Sequence, residues 1–313
     1  MKIVFWGTPD IAKDCLEAIY NAGHEIVCVI TVPDKPNSRG KKIVYSEVKE
    51  FAIQHNLKLI QPEKLSYNEE LKEEIKKLNP DIFCVVAYGK YMPKSYLKMC
   101  KYEPVNIHPS LLPKYRGSSP IQWAVLNGDK ETGVTSMYIS EKMDAGDIIL
   151  QKSVQIGEYE TTGELWDRLS KIGGELLVET LKQIELGIAP RIPQGDNCTE
   201  VSMISKEMAK IDFEKSAEEI KNLVRGLNPF LGAYGFVDGK KLKLWKVEIK
   251  ELVEEYQNKQ NGEIVLSSDK TGLYIKVRDG LLSVLEIQGE NAKRMNILDY
   301  LRGNKINVGN KFE

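Results

Sequence analysis

The chain has 313 residues, room for two domains of the usual roughly 100–200 residues each. Hydrophobic residues make up 42% and charged residues 28%, with a formal net charge of −1. That balance belongs to a folded globular chain and excludes a disordered, collagen-like or strongly polycationic protein. By itself it gives no hint of nucleic acid, whose binding needs basic patches rather than a basic whole.

No apolar run approaches the roughly 20 residues that span a bilayer, so no membrane partner is expected. The N-terminal MKIVFWGTPD lacks the long apolar core and cleavage site of a leader, so it reads as a first β-strand of a cytoplasmic protein. Five cysteines without a C-x-x-C pair, and three histidines, argue against a metal site. They read as core thiols in a reducing compartment.

Lys2–Trp6 is a short apolar run that stops at Gly7-Thr8-Pro9. In DIAKDCLEAIYNAG, Ile11, Cys15, Leu16 and Ile19 share one helical face, with Asp10 placed to cap the start and Gly23 to end it. Glu25–Val32 suits a buried parallel strand. Helices are expected up to Asn56 and over Glu69–Leu78, the latter stopped by Asn79-Pro80; strands are expected at Asp81–Tyr88 and Glu103–Ile107. Alternating strands and helices predict a Rossmann-like, doubly wound, mostly parallel α/β sheet.

A long amphipathic helix is predicted from Gly163 to Gly187, with a stripe of Leu165, Leu169, Ile172, Leu176 and Leu181. Residues 188–205 hold two prolines and a glycine without a period and read as a linker between a domain of residues 1–187 and one of 206–313. After a helix at Ser216–Leu227, strands are expected at Tyr234–Val237, Lys241–Lys250, Gly262–Ser267, Leu273–Val277 and Leu281–Gln288, with turns at Asp238-Gly239 and Arg278-Asp279-Gly280. Short strands with turn signals predict a small OB-like β-barrel.

The candidate chemistry lies in EPVNIHPSLLPKYRG, residues 103–117. Asn106 and His108 are two apart at a strand end, so both side chains project to one face, and strand ends are where doubly wound sheets place ligands. Pro109 and Pro113 make a stiff loop of the intervening residues. Asp144, in EKMDAGDII, can orient and charge-stabilise the imidazole. Acyl transfer to an amine needs these three elements: a donor for the intermediate's oxygen, a base, and a group that holds the base in one tautomer. No G-x-S-x-G and no Cys beside a His supplies a nucleophile of the chain's own. Gly7-Thr8-Pro9 is not a G-x-G-x-x-G, so a dinucleotide is not implied.

NIHPSLLPKYRG followed by MDAGD resembles the signature of the 10-formyltetrahydrofolate-dependent formyltransferase superfamily. The resemblance implies a catalytic trio of Asn106, His108 and Asp144. It also implies a site for 10-formyltetrahydrofolate lined by Ser110, Leu111, Leu112 and Pro113, with Tyr88, Gly89 and Met92 after the central strand, and no metal. MKIVFWGTPDIA, the Pro33–Lys49 loop, VRGLNPFLGAYGFVDGKKLKLW and KRMNILDYLRGNKINVGNKF resemble the branch whose acceptor is initiator methionyl-tRNA. In that branch the C-terminal barrel binds tRNA and the loop contacts its acceptor end, which implies Arg39, Lys41 and Lys42 as tRNA contacts. Basic side chains in a Pro/Gly-rich loop suit phosphate contact on physical grounds as well. The alternative within the superfamily is transfer to a nucleotide-linked amino sugar, which should need neither loop nor barrel. Pro109 and the NPFLGAY segment depart from the usual pattern without touching the trio. Nothing in the sequence calls for an obligate interface, so a monomer is expected.

Overall fold

The computed structural model describes residues 1–36 and 43–313. The chain forms two compact units. The first comprises Met1–Pro120, Thr132–Val154 and Trp166–Val201, and the second Ile121–Glu131, Gln155–Leu165 and Ser202–Glu313. The stretch whose composition marks it as a linker is therefore divided, and residues through Val201 cluster with the first unit.

The first unit is built on a seven-stranded sheet. Its order is Ile148–Gln155, Glu131–Tyr138, Val105–His108, Ile82–Val86, Lys2–Gly7, Glu25–Ile30, Leu59–Ile60. The last five of these run parallel, and Glu131–Tyr138 is antiparallel to Val105–His108. The central strands are apolar at nearly every position because both faces are covered. Val4 and Trp6 pack with Cys28, Ile30, Phe83 and Tyr96. Ile3 and Phe5, equally buried, must point to the other face.

Helix starts follow local chemistry. Ser46 and Asn68 cap the Glu47–Gln54 and Glu69–Leu78 helices through their side chains, and Asn79 ends the second with φ +48°. Asp10 departs from expectation. It is the first residue of the Asp10–Asn21 helix rather than its cap, and its carboxylate accepts the Ile11 N–H at 2.8 Å.

In the second unit, five strands lie in the order Ala233–Val237, Lys240–Lys250, Gly280–Gly289, Gly272–Val277, Ile264–Ser268, with short Met295–Asn296 beside Gly280–Gly289. The pairings among these strands are antiparallel. The Asp238-Gly239 turn takes positive φ at both residues, +50° and +75°, which is what a two-residue hairpin with matched twist requires. The Ala217–Gly226 helix begins with a reciprocal capping box between Ser216 and Glu219. Arg225 on this helix donates to the carbonyls of Gly157 and Glu160, which fastens the Gln155–Leu165 excursion to it.

The chain's last residues join the two outer strands. Phe236 and Glu313 exchange a pair of backbone hydrogen bonds, 2.9 Å each, while Phe312 N–H donates to Gly262 and Ile264 N–H to Asn310. The Phe312 ring is 1% exposed and lies 5.4 Å from the Phe213 ring, in the core formed by Ile220, Val224, Leu244, Ile275 and Ile287. No periodic signal announces this closure, because the closing segment is too short to have a period.

If the tail is the seam of this core, Phe312→Ala lowers the unfolding free energy by about 3–5 kcal/mol, the usual range for deleting a buried aromatic ring. Urea denaturation measures it. A loss below about 1 kcal/mol, the scale of a surface change, would show that the seam carries no weight.

Candidate functional site

The Val105–His108 strand sits between a parallel and an antiparallel neighbour, with Asn106 opposite Met137 and His108 opposite Thr135. Ile107, between them, faces the other side, where a Cβ added at Gly173 would touch it. Asn106 and His108 thus share a face, as the two-residue spacing requires. Asn106 is half-buried, and its amide has no hydrogen-bond partner among the described residues. His108 is 5% exposed.

Both imidazole nitrogens meet oxygens. Nε2 lies 2.9 Å from the Tyr115 carbonyl. A carbonyl can only accept, so the proton of the neutral ring sits on Nε2 and the lone pair on Nδ1. Nδ1 lies 3.6 Å from Asp144 Oδ2. That is too long for a hydrogen bond and close enough for strong attraction once Nδ1 is protonated. The sequence reading gave Asp144 the task of fixing the tautomer. The structure gives that task to the Tyr115 main chain and leaves Asp144 beside the nitrogen with the lone pair.

Asp144 is itself held. Its Oδ2 accepts the Gly117 N–H at 2.9 Å, and its side chain is 14% exposed. Its backbone is left-handed, φ +50°, a conformation that Asp tolerates better than most residues. Two positions later a Cβ on Gly146 would stand 1.7 Å from the Tyr138 carbonyl oxygen, so the glycine of MDAGD is required by contact. Tyr115 is also left-handed, φ +60°, at a cost of roughly 1–2 kcal/mol for an L-residue. Two hydrogen bonds accepted by one residue keep it there: Tyr115 N–H donates to Thr199 Oγ1 at 2.8 Å, and Arg116 N–H to the Thr199 carbonyl at 2.8 Å. The Glu200–Val201 strand then pairs with Arg116–Gly117. Gly117, at φ +102°, has no room for a side chain, since a Cβ would lie 2.5 Å from the Val201 carbonyl oxygen.

The loop after His108 is stiffened from within. Ser110 is fully buried and donates its hydroxyl to the Lys114 carbonyl. Thr135 Oγ1 donates to the Ser110 carbonyl and accepts the Leu112 N–H, while Gln151 Nε2 donates to the Leu112 carbonyl. Leu112 packs with Met137 and Ile148, and the Leu112–Pro113 peptide is cis. Of the four residues expected to line a folate site, Ser110 and Leu112 therefore turn their side chains inward, and Leu111 and Pro113 are the half-exposed pair.

Tyr88 and Met92 behave like Ser110. Their side chains are 2% and 7% exposed, in the core with Trp6 and Tyr96, and burial raises the Tyr88 hydroxyl pKa. What Tyr88 offers outward is backbone, and its carbonyl accepts from Thr8 Oγ1. Gly89, φ +81°, has open space where a Cβ would go.

Four of the five thiols are held back as nucleophiles by burial. Burial pushes the Cys28 thiol up to about 12 and raises Cys15, Cys84 and Cys100 as well. Among the described residues there is no His/Cys/Asp/Glu group able to hold a metal ion and no helix long and apolar enough to cross a membrane.

Arg39, Lys41 and Lys42 lie outside the described residues. The base of their loop is defined. Lys35–Pro36 pairs with Ile43–Val44. Lys49 Nζ bridges Asp34 Oδ2 at 2.5 Å and Gln61 Oε1 at 2.9 Å, and Gln61 Nε2 returns to Asp34 Oδ1 at 2.8 Å. The Lys49 ammonium, ahead of Gln61, holds the Asp34 carboxyl below its usual range.

Sequence reasoning missed Tyr115, Thr199 and Gln194. Gln194 Oε1 accepts two N–H bonds from the Arg116 guanidinium, at 2.9 and 2.7 Å, while its Nε2 donates to the carbonyls of Asp144 and Gly146 at 2.9 and 2.7 Å. Only the Arg-Gly of the signature, flanking Tyr115, could have drawn attention to this neighbourhood.

Known proteins similar to this chain are formyltransferases. Residues 1–181 match the formyl transferase family and residues 203–305 its C-terminal domain. The methionyl-tRNA formyltransferase of Clostridioides difficile (strain 630) is 46% identical over 310 residues, covering 99% of each chain. That of Caldanaerobacter subterraneus subsp. tengcongensis is 42% identical over 310 residues with the same coverage. Among solved structures, an N-formyltransferase from Helicobacter canadensis matches with TM-score 0.67 at 21% identity, over 91% of this chain and 99% of that one. HypX from Aquifex aeolicus in complex with tetrahydrofolic acid matches with TM-score 0.64 at 18% identity, over 99% of this chain and 50% of that one, so this chain spans half the HypX length. At these identities the solved structures speak to the fold. The full-length relatives, more than 40% identical from end to end, go further: the chain belongs to the methionyl-tRNA formyltransferase family.

Proposed function

We propose that this protein transfers the formyl group of 10-formyltetrahydrofolate to the α-amino group of initiator methionyl-tRNA, giving N-formylmethionyl-tRNA for translation initiation. The observation that carries the chemistry is the alignment of the half-buried Asn106 amide with an imidazole whose tautomer is fixed by Tyr115 and whose Nδ1 stands beside Asp144.

The amine nitrogen attacks the formyl carbon and forms the new C–N bond. The carbonyl π pair moves to oxygen, where the Asn106 amide N–H donates to the developing anion. His108 Nδ1 takes the proton that the attacking nitrogen sheds, and the Asp144 carboxylate stabilises the imidazolium. The carbon–N10 bond then breaks, the proton passes to N10, and tetrahydrofolate leaves. The attacking amine needs little activation because its pKa is near 8 or below. In this reading Leu111, Pro113 and the open backbone at Gly89 line the folate site, with Ser110, Leu112, Tyr88 and Met92 shaping that wall from behind; the half-exposure of the first two and the burial of the others support it. In this reading the second unit binds tRNA, Arg39, Lys41 and Lys42 contact the acceptor end, and the Lys49–Asp34–Gln61 cluster anchors their loop.

His108→Ala is expected to reduce kcat for transfer to charged initiator tRNA by roughly 10²–10⁴-fold, and Asn106→Ala by about 10²–10³-fold. Unchanged turnover in either would remove that residue from the mechanism. Arg39→Ala should raise the KM for methionyl-tRNA about tenfold or more, the worth of one charged contact, while folate affinity stays constant. Equal loss of both would end the loop's assigned role. Supplying labelled 10-formyltetrahydrofolate with methionyl-tRNA, glycinamide ribonucleotide and an amino-sugar nucleotide in parallel identifies the acceptor, and label on the sugar would transfer the assignment to that class.

A further inference from the structure

The stretch from Ile192 to Val201 leaves the catalytic sheet and carries no residue of the trio. It nevertheless contacts both supports of the His108–Asp144 pair. Gln194 is the centre of one contact. A glutamine amide has one carbonyl oxygen and two N–H donors, and all three are used here. The oxygen takes a two-pronged bond from Arg116 Nε and Nη2, and the amide nitrogen donates to the carbonyls of Asp144 and Gly146. The two residues whose carbonyls it grips bracket the tight approach of Gly146 to Tyr138. Arg116 is adjacent to Tyr115, which orients the imidazole, and to Gly117, whose N–H binds the Asp144 carboxylate. Gln194 therefore joins the backbone that carries Asp144 to the strand that holds His108.

Resting on the functional reading above, we propose that Gln194 is a positioning residue for formyl transfer. It fixes the Asp144 carboxylate against His108 Nδ1 through the main chain, and Thr199 performs the matching task at Tyr115. Gln194 touches no reacting atom. It acts by choosing the place of a backbone that Asp144, at φ +50°, does not favour by itself. A link of this kind moves kcat rather than KM, because substrate contacts are intact while the proton acceptor's partner is displaced.

The test is a double-mutant cycle in the full-length protein, read by single-turnover formyl transfer to methionyl-tRNA. Gln194→Leu removes all four hydrogen bonds. Gln194→Glu keeps the acceptor for Arg116 but sets a carboxylate oxygen against two carbonyls. Both variants are expected to lower the rate about 100-fold, the effect of displacing a reactive group by about 1 Å, with KM for both substrates within about twofold of the parent. In an Asp144→Asn background, either substitution should cost no further rate, because the group it positions is already disabled.

A rate within about threefold of the parent for Gln194→Glu, or losses that multiply with that of Asp144→Asn, would overturn the proposal by showing that Gln194 acts independently of Asp144. If Gln194→Leu fails to fold, Gln194→Glu, which conserves shape, and Thr199→Val carry the measurement. Should Asp144→Asn alone leave transfer at the parental rate, the reading of the site falls and the inference with it. Should Asp144→Asn be impaired while Gln194→Glu is not, only the inference falls.

Discussion

The candidate site depends on one backbone conformation, the left-handed turn at Tyr115. Its carbonyl holds the Nε2 proton of His108 at 2.9 Å, and so decides which nitrogen carries the lone pair. A bulky residue does not adopt φ +60° unaided. The conformation persists because the surroundings over-determine it: Thr199 takes the N–H of Tyr115 through its hydroxyl and that of Arg116 through its carbonyl. Gly117 gives up a side chain so that Val201 can lie against it. Release of that turn would leave His108 free to exchange its tautomers, and Asp144 would then face an Nδ1 that carries a proton in one tautomer and a lone pair in the other.

The same economy governs both glycines of the signature. Gly117 and Gly146 occupy places where a Cβ would stand 2.5 Å and 1.7 Å from a carbonyl oxygen. Each lets two backbones approach closely, and each approach delivers one half of the His108–Asp144 pair. Close contact between main chains is rigid in a way that contact between flexible side chains is not. Cys15, Cys28 and Cys84, by contrast, are sealed in the core with raised pKa values, which removes these thiols from the chemistry.

What the sequence makes legible follows the reach of its signals. Alternating period and turn residues locate the five main strands of the second unit within a residue or two, and the Asp238-Gly239 pair has a local backbone preference that fixes one of the turns. The parallel sheet is legible in its continuous apolar runs. Asn106, His108 and Asp144 are legible because their chemistry resides in side chains, and the two-residue spacing of the first pair survives folding unchanged. Tyr115 was not legible because it acts through a carbonyl, which every residue has. Gln194 was not, because its partners lie 50 and 78 positions away in a stretch whose composition says only that it is irregular. That Ser110 and Leu112 turn their side chains inward is not legible either, because a motif names residues and does not say which way they turn.

These differences share a cause in the reaction itself. Formyl transfer to an amine asks the protein for no nucleophile and no metal, only for an oxygen donor, a proton acceptor and a fixed distance between them. When the chemistry is this spare, rate resides in placement. Placement is a property of backbone, and backbone is held by residues that need not be near the reacting atoms in sequence. In the proposed mechanism, the trio of Asn106, His108 and Asp144 marks where the chemistry happens. On the same proposal, the residues that set how well it happens are those that keep the Tyr115 turn left-handed and the Asp144 loop close, and they are drawn from a segment that, on composition, looks like a connection between domains.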